Sequence, residues 1–513
     1  VSSNSVVPDQ APPRPHEGRT IRVRAGTALV ALSLALTACG EQAVGLSGNE
    51  RMAVLQDGSG EGISEWTASA EDYDDHPHIP DPDVAVDVTL PVFPTADAFT
   101  EALKERVDEE VADFRAGTRD PVSLGVDWEL VAAGEGVLGV RLVRSEEDMH
   151  GMREGYSTHW YDATTGRSAQ STELLAGQEA LDELDAIVGD ELADDEEVDG
   201  DTLYPVLRTY DSIGFNENGD LVVEFDDGHL SPVIEGHVPS TEFGRKVVIV
   251  DHETAAPLLS DLGERARQAS MTENADLEPA EFEEDDDEEE APPPVPGVFD
   301  ARLPDVDCED VEVRCIALTF DDGPVAATSD LLDLLAAEKV TASFFLNGSP
   351  VLTRPGPLRR AYSEGHEIAS HGDLHEHMNR MDAEELPSQV ASVSAMVRRQ
   401  TGHTVELFRP PFGATDDDVH REISDQGMVE TLWTVDSEDW EGLTSDEIVD
   451  RVVDLVEPGG VVLMHDPQEA TLDAVPEIIR LLRDEGYEFV PASQAMGFPE
   501  PPHVFPEDWD GSW

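Results

Sequence analysis

The chain has 513 residues, enough for two or three domains, and 39% of them are hydrophobic, so packed cores are within its reach. Its 112 acidic side chains against 32 basic ones leave a formal net charge of −80. Such a chain repels polyanions, which counts against nucleic acid and anionic lipid surfaces as partners.

In chain order, Arg19, Arg22 and Arg24 form a basic start, and Ala25 to Ala38 follow as an uncharged, mostly apolar stretch. That stretch is too short for a stable membrane span, which needs about 20 residues. A basic start, a short apolar run and small residues before a cut describe an export signal. Its end, Leu36-Thr37-Ala38-Cys39-Gly40, resembles the lipobox of bacterial lipoproteins. That resemblance implies lipidation of Cys39, removal of residues 1–38 and a membrane anchor on the outer face. Residues 39–84, rich in Gly, Ser, Asp and Glu, read as a flexible tether with a root-mean-square span of roughly 35–40 Å.

A smaller α+β domain is predicted over 85–269. Phe99, Leu103, Val107, Val111 and Phe114 recur at helical spacing, as do Leu181, Leu184 and Val188. Strand-like runs surround them, including Val140 to Val143 and Leu221 to Phe225, and Tyr161 to Gly166 reads as a hairpin turn. His159 to Gly166 and Gly219 to Asp227, with Pro232 and Gly236, resemble the extracellular domain of RsiV-type anti-sigma factors. This implies binding to the cell wall or to wall enzymes. Tyr156, Trp160 and Tyr161 are the aromatics that could stack on sugars, although sheet core is the preferred reading of them. The acidic run Glu281 to Glu290 and the prolines after it mark a linker over 270–298.

From Cys315 onward strands and helices alternate, which predicts a parallel sheet, here a distorted (β/α) barrel over 299–500 with a tail over 501–513. Predicted strands are Cys315 to Phe320, Ala342 to Leu346, His366 to Ser370, Glu406 to Phe408, Glu430 to Val435, Val461 to Met464 and Glu488 to Val490. Cys308 and Cys315, close together in an exported chain, read as a short-loop disulfide; no further ligands stand nearby for a structural zinc. Asp321, Asp322, His371, Arg409, Asp436 and His465 all fall just after predicted strands. That rim is where βα barrels build their sites. His371 and His375, spaced i, i+4, would share one face of a helical turn. With Asp322 they make one carboxylate and two imidazoles, a set that suits zinc and leaves a position open for water. His366 and His377 are read as non-ligands.

These residues lie in five ordered motifs: Thr319 to Pro324, His371 to His375, Arg409 to Gly413, Asp436 to Trp440, and Leu463 to His465. Together they resemble the polysaccharide deacetylases of carbohydrate esterase family four, the NodB-homology group. Two positions depart from the family pattern: Gly372 stands where Ser or Thr is usual, and Phe412 where Tyr is usual. The resemblance implies metal-dependent removal of acetyl groups from N-acetylated sugars. Asp322, His371 and His375 would hold the metal. Asp321 would be the general base, with Arg409 keeping it ionised. The Phe412 backbone N–H would stabilise the oxyanion, His465 would be the general acid with Asp436 raising its pKa, and Trp440 and Leu463 would receive the acetyl methyl. The anchor and the domain ahead favour peptidoglycan as substrate over chitin oligomers or acetylxylan. A non-catalytic wall-binding or lysozyme-sensing lipoprotein is the alternative of another class.

Overall fold

The computed structural model describes residues 51–506 and Trp509, apart from 58–62, 74–83, 235–236, 241–242, 273–274, 276, 278–292 and 467. The export signal, Cys39 and the acidic run at 281–290 therefore lie outside the described residues. Among the described residues, no helix is long and apolar enough to cross a membrane.

The first domain is built from β1 (Gln56–Asp57), β2 (Ser64–Ser69), β3 (Ala85–Val92), α1 (Asp97–Gly117), β4 (Ser123–Gly134), β5 (Val137–Asp148), β6 (Gly151–Asp162) and β7 (Arg167–Ala169). Then come α2 (Gln178–Leu192), β8 (Ile213–Phe215), β9 (Leu221–Phe225), β10 (Lys246–Val250), α3 (His252–Ala255) and α4 (Asp261–Ser270). A seven-stranded sheet runs β2-β3-β4-β5-β6-β7 with β1 on β4, and a three-stranded sheet runs β10-β9-β8. The periodic apolar face of α1 is buried against the large sheet, with Phe99, Leu103, Val107, Val111 and Phe114 all nearly inaccessible. Asp162 and Gly166 make the expected hairpin turn: the Asp162 carboxylate accepts from the Thr164 N–H, and Gly166 supplies a positive φ. Tyr156, Trp160 and Tyr161 are sheet core.

Part of the expected tether is folded. Ser64–Ser69 pairs antiparallel with β3, opposing Trp66 to Leu90, and the Ala53 N–H donates to the Phe215 carbonyl. The strands are short, and their partners stand elsewhere in the chain. A composition dominated by small and acidic residues hid them, because pairing, not local propensity, makes them strands.

The second domain contains β11 (Arg314–Asp321), α5 (Thr328–Glu338), β12 (Ser343–Leu346), α6 (Gly348–Thr353), α7 (Pro355–Ser363), β13 (Glu367–Ser370), α8 (Leu386–Thr401) and β14 (Leu407–Phe408). It continues with α9 (Asp417–Asp425), β15 (Val429–Thr431), β16 (Val435–Asp436), α10 (Ser445–Leu455), β17 (Gly460–His465), α11 (Glu469–Asp484), β18 (Tyr487–Phe489), α12 (Ala492–Ala495) and β19 (Val504–Phe505). The nine strands form one parallel, open barrel-like sheet in the order β16-β17-β11-β12-β13-β14-β15-β19, with β18 on β11. Helices cover it, as a parallel sheet buried on both faces requires.

Two expectations are corrected. Glu430 to Val435 is not one strand: β15 pairs with β14 whereas β16 pairs with β17, so the sheet opens between them. The domain does not stop at 500 either. Val504–Phe505 extends the sheet beside β15, and Trp509 sits edge-on to Trp433 with ring centroids 4.9 Å apart. Cys308 and Cys315 are joined in a disulfide ahead of β11.

The two domains share a polar seam. Asp113 of α1 takes the Arg398 guanidinium of α8 at 2.6 Å, and Glu146 of β5 takes Arg399 at 2.7 Å. Arg359 of α7, fully buried, donates to the Thr202 carbonyl at 2.7 Å.

Candidate active site

Parallel strands end together, so residues distant in sequence meet at one rim. Asp321 pairs in register with His465 across β11 and β17, and Ser370 pairs with Phe408 across β13 and β14. The residues after these strand ends, Asp322, His371 and Arg409, therefore converge.

Asp322, His371 and His375 each present one ligand atom, all within 4.8 Å of one another. Nε2 of His375 lies 3.2 Å and Nε2 of His371 3.7 Å from Oδ1 of Asp322. Three first-row donors around one ion at about 2.0–2.2 Å stand at such separations from each other, so the residues fit a divalent cation such as zinc. The outer contacts agree. Nδ1 of His371 lies 2.7 Å from the Arg409 carbonyl, so its N–H donates there and its Nε2 lone pair faces the site. Burial drives His371 down to about 3, keeping the imidazole neutral and able to ligate. The amide of Asn347 donates to Asp322 at 3.0 Å.

The His371–His375 segment is not a helical turn. Gly372 and His375 adopt positive φ, 75° and 50°, which no right-handed helix accommodates. A loop brings the rings to a centroid separation of 5.2 Å instead. Gly372 takes up a left-handed conformation that glycine adopts without steric cost. Asp322 and Phe412 also have positive φ, at 73° and 62°. Each such residue costs on the order of 1–3 kcal/mol and persists only where its surroundings fix it.

Asp321 is 1% exposed and takes the Arg409 guanidinium at 2.7 Å. Arg409 is itself inaccessible, donating also to the Thr319 hydroxyl and to the carbonyls of Thr431 and Leu432, over the face of Phe345. Burial raises the Asp321 carboxyl, and the Arg409 and His465 charges oppose that rise without cancelling it. Arg409 thus favours and orients the ionised carboxylate as expected, while desolvation leaves Asp321 a stronger base than an exposed aspartate.

On the neighbouring strand β17, the carboxylate on His465 is Asp439, not Asp436. Asp439 lies 2.7 Å from Nδ1 of His465, takes its backbone N–H at 2.8 Å, and also accepts from the Thr471 hydroxyl. Burial works against the imidazolium, but the hydrogen bond and charge of Asp439 outweigh it and push His465 up to about 9. Asp436 lies within β16 and its carboxylate caps the N–H of Glu438 at 2.8 Å. Sequence position alone favoured Asp436; the short 3-10 turn Asp439–Glu441 swings the later carboxylate under the histidine.

Phe412 is half exposed, and its ring packs on His377 and His375 at 4.4 and 4.5 Å. Trp440 is also exposed, whereas Leu463 is buried with Leu432 and Trp433. His366 accepts the Ala342 N–H through Nδ1 at 3.1 Å inside the domain, and is structural.

The sequence model of the polysaccharide deacetylase family matches residues 309–431. Over 193 residues the chain is 37% identical to the peptidoglycan-N-acetylmuramic acid deacetylase PdaC of Bacillus subtilis, covering 37% of this chain and 41% of that protein. It is 34% identical over 197 residues to the peptidoglycan-N-acetylglucosamine deacetylase PgdA of Listeria monocytogenes, covering 38% and 41%. A chitooligosaccharide deacetylase of Bradyrhizobium is 32% identical over 197 residues, which cover 35% of this chain and 90% of that protein. The solved structure of Bacillus subtilis PdaC aligns at 36% identity with a TM-score of 0.35, covering 37% of this chain and 93% of that one. The chain thus spans about two fifths of the first two relatives and nearly all of the third.

Proposed function

From the premise that the chain belongs to the polysaccharide deacetylase family, we propose that it hydrolyses the N-acetyl groups of peptidoglycan amino sugars, releasing acetate. The observation that carries this reading is the pairing of two proton-transfer units around one set of ligands. Asp321 with Arg409 and His465 with Asp439 stand at the paired ends of β11 and β17, beside Asp322, the residue that joins His371 and His375 in the ligand set.

Zinc is the cation the donor set favours; when bound it lowers the pKa of water and polarises a carbonyl. The residues of the chain do the rest. Asp321 takes a proton from the attacking water as general base. The Phe412 backbone N–H, turned by its positive φ, offers a donor to the developing oxyanion. His465, protonated below about 9, gives its proton to the departing sugar nitrogen, and Asp439 stabilises the imidazolium meanwhile. Trp440 and Leu463 are the apolar groups assigned to the acetyl methyl.

Peptidoglycan is preferred because the relatives with higher identity act on it by name, and because the sequence carries a lipobox-like Cys39 and an RsiV-like segment at 85–269. On this reading the protein is exported, lipid-anchored through Cys39 on the outer face of the membrane, and its first domain contacts the wall. The similarity to a chitooligosaccharide deacetylase keeps chitin oligomers as the second substrate to test. Mass analysis of muropeptides after exposure to the protein decides between them. Loss of acetyl from glucosamine or muramic acid supports the proposal. Untouched muropeptides with deacetylated chitin oligomers would replace the substrate.

A further inference from the structure

The loop from His371 to His375 carries two of the three proposed ligands yet lies outside any helix or strand, and two of its five residues have left-handed backbone. Its geometry must be imposed from outside. Asp373, midway along it, is 4% exposed, and both its carboxylate oxygens accept from the two terminal nitrogens of one guanidinium, that of Arg119. Arg119 belongs to the other domain, 254 positions earlier and just past the end of α1. A bidentate pair fixes direction as well as distance. Asp373 has no room to swing: a Cβ on Gly348 would lie 2.1 Å from its Oδ1, so the carboxylate sits flush against the start of α6. Next to it, the Leu374 N–H donates to Gln389 of α8 at 3.2 Å.

We propose that Arg119 is a positioning residue of the metal centre. By gripping Asp373 it holds the loop so that His371 and His375 aim their Nε2 atoms at Asp322, which makes the first domain a working part of the catalytic unit. This rests on the metal reading above. The role is that of an outer-shell partner, whose removal costs metal affinity of about 10–100-fold.

The test is zinc affinity of the full chain, by competition with a chromogenic chelator, for wild type, Arg119→Ala, Arg119→Lys and Arg398→Ala. Arg119→Ala is expected to weaken binding by about 10–100-fold and Arg119→Lys to recover part of the loss. Arg398→Ala removes an ion pair of the same seam that has no bond to the loop, and is expected to bind as wild type. Asp373→Asn, which keeps the side-chain shape, substitutes if Arg119→Ala does not fold, and is expected to lose affinity likewise. Wild-type affinity in the Arg119 and Asp373 variants overturns the clamp alone, as does an equal loss in Arg398→Ala. A wild-type chain that takes up no zinc overturns the metal reading and the clamp together.

Discussion

Asp439 decides the charge state of His465, and so the alkaline limit of the reaction. A histidine whose folded pKa is raised is protonated, and useful as an acid, until the pH climbs through that value. In wild type the alkaline limb of kcat/KM is therefore expected near 9. Asp439→Asn removes the largest influence that favours the imidazolium and leaves burial opposed only by the charges of Asp321 and Asp322, so the limb should move to lower pH, with slower turnover at neutral pH. Asp436→Asn, which takes nothing from the imidazole ring, should displace the limb far less. The reverse pattern in a pH–rate profile would return the role to Asp436. The sequence displayed Asp321, Asp322, His371, Arg409 and His465 well, because each follows a strand whose end can be read from apolar runs. It could not display Asp439 or Arg119. Their roles come from a short turn and from a contact between domains, and neither leaves a periodic trace.

Among elements, β11 is the keystone. It pairs with β12, β17 and β18 and delivers Asp321 and Asp322 from a strand buried from Cys315 to Asp321. Its start is tied by the Cys308–Cys315 disulfide, which closes a short loop at the edge of the domain. Chain entropy for a loop of this length gives about 2–3 kcal/mol. The Cys308→Ser, Cys315→Ser double variant is expected to lose that much stability in denaturant unfolding while keeping its zinc stoichiometry, because the bridge lies at the strand's opposite end from Asp322. Loss of metal in the folded variant would show that the bridge shapes the site. Element types in the barrel were largely legible: the apolar runs at Cys315 to Phe320 and Val461 to Met464 both lie in strands, β11 and β17. The short pieces were not. Val504–Phe505 and Ser64–Ser69 are strands only because partners elsewhere complete their hydrogen bonds.

On the scale of the whole molecule, a formal charge of −80 sets the solution behaviour. Repulsion among exposed carboxylates opposes the compact state and is screened by salt, while the ion pairs between the domains have buried carboxylates and partly exposed arginines and are screened less. Asp113 and Glu146, which take Arg398 and Arg399, are both almost inaccessible. The melting temperature is therefore expected to rise between low ionic strength and about 0.5 M salt. A fall over that range would mean that exposed attractions, and not repulsion, dominate.

One measurement bears most directly on the whole reading: acetate released from purified peptidoglycan by chelator-stripped protein, before and after titration with zinc. The expected result is no release from the stripped protein and recovery that saturates at one zinc per chain. Release undiminished by stripping, or none at any zinc content from a folded chain, would contradict a site in which Asp322, His371 and His375 gather one catalytic ion.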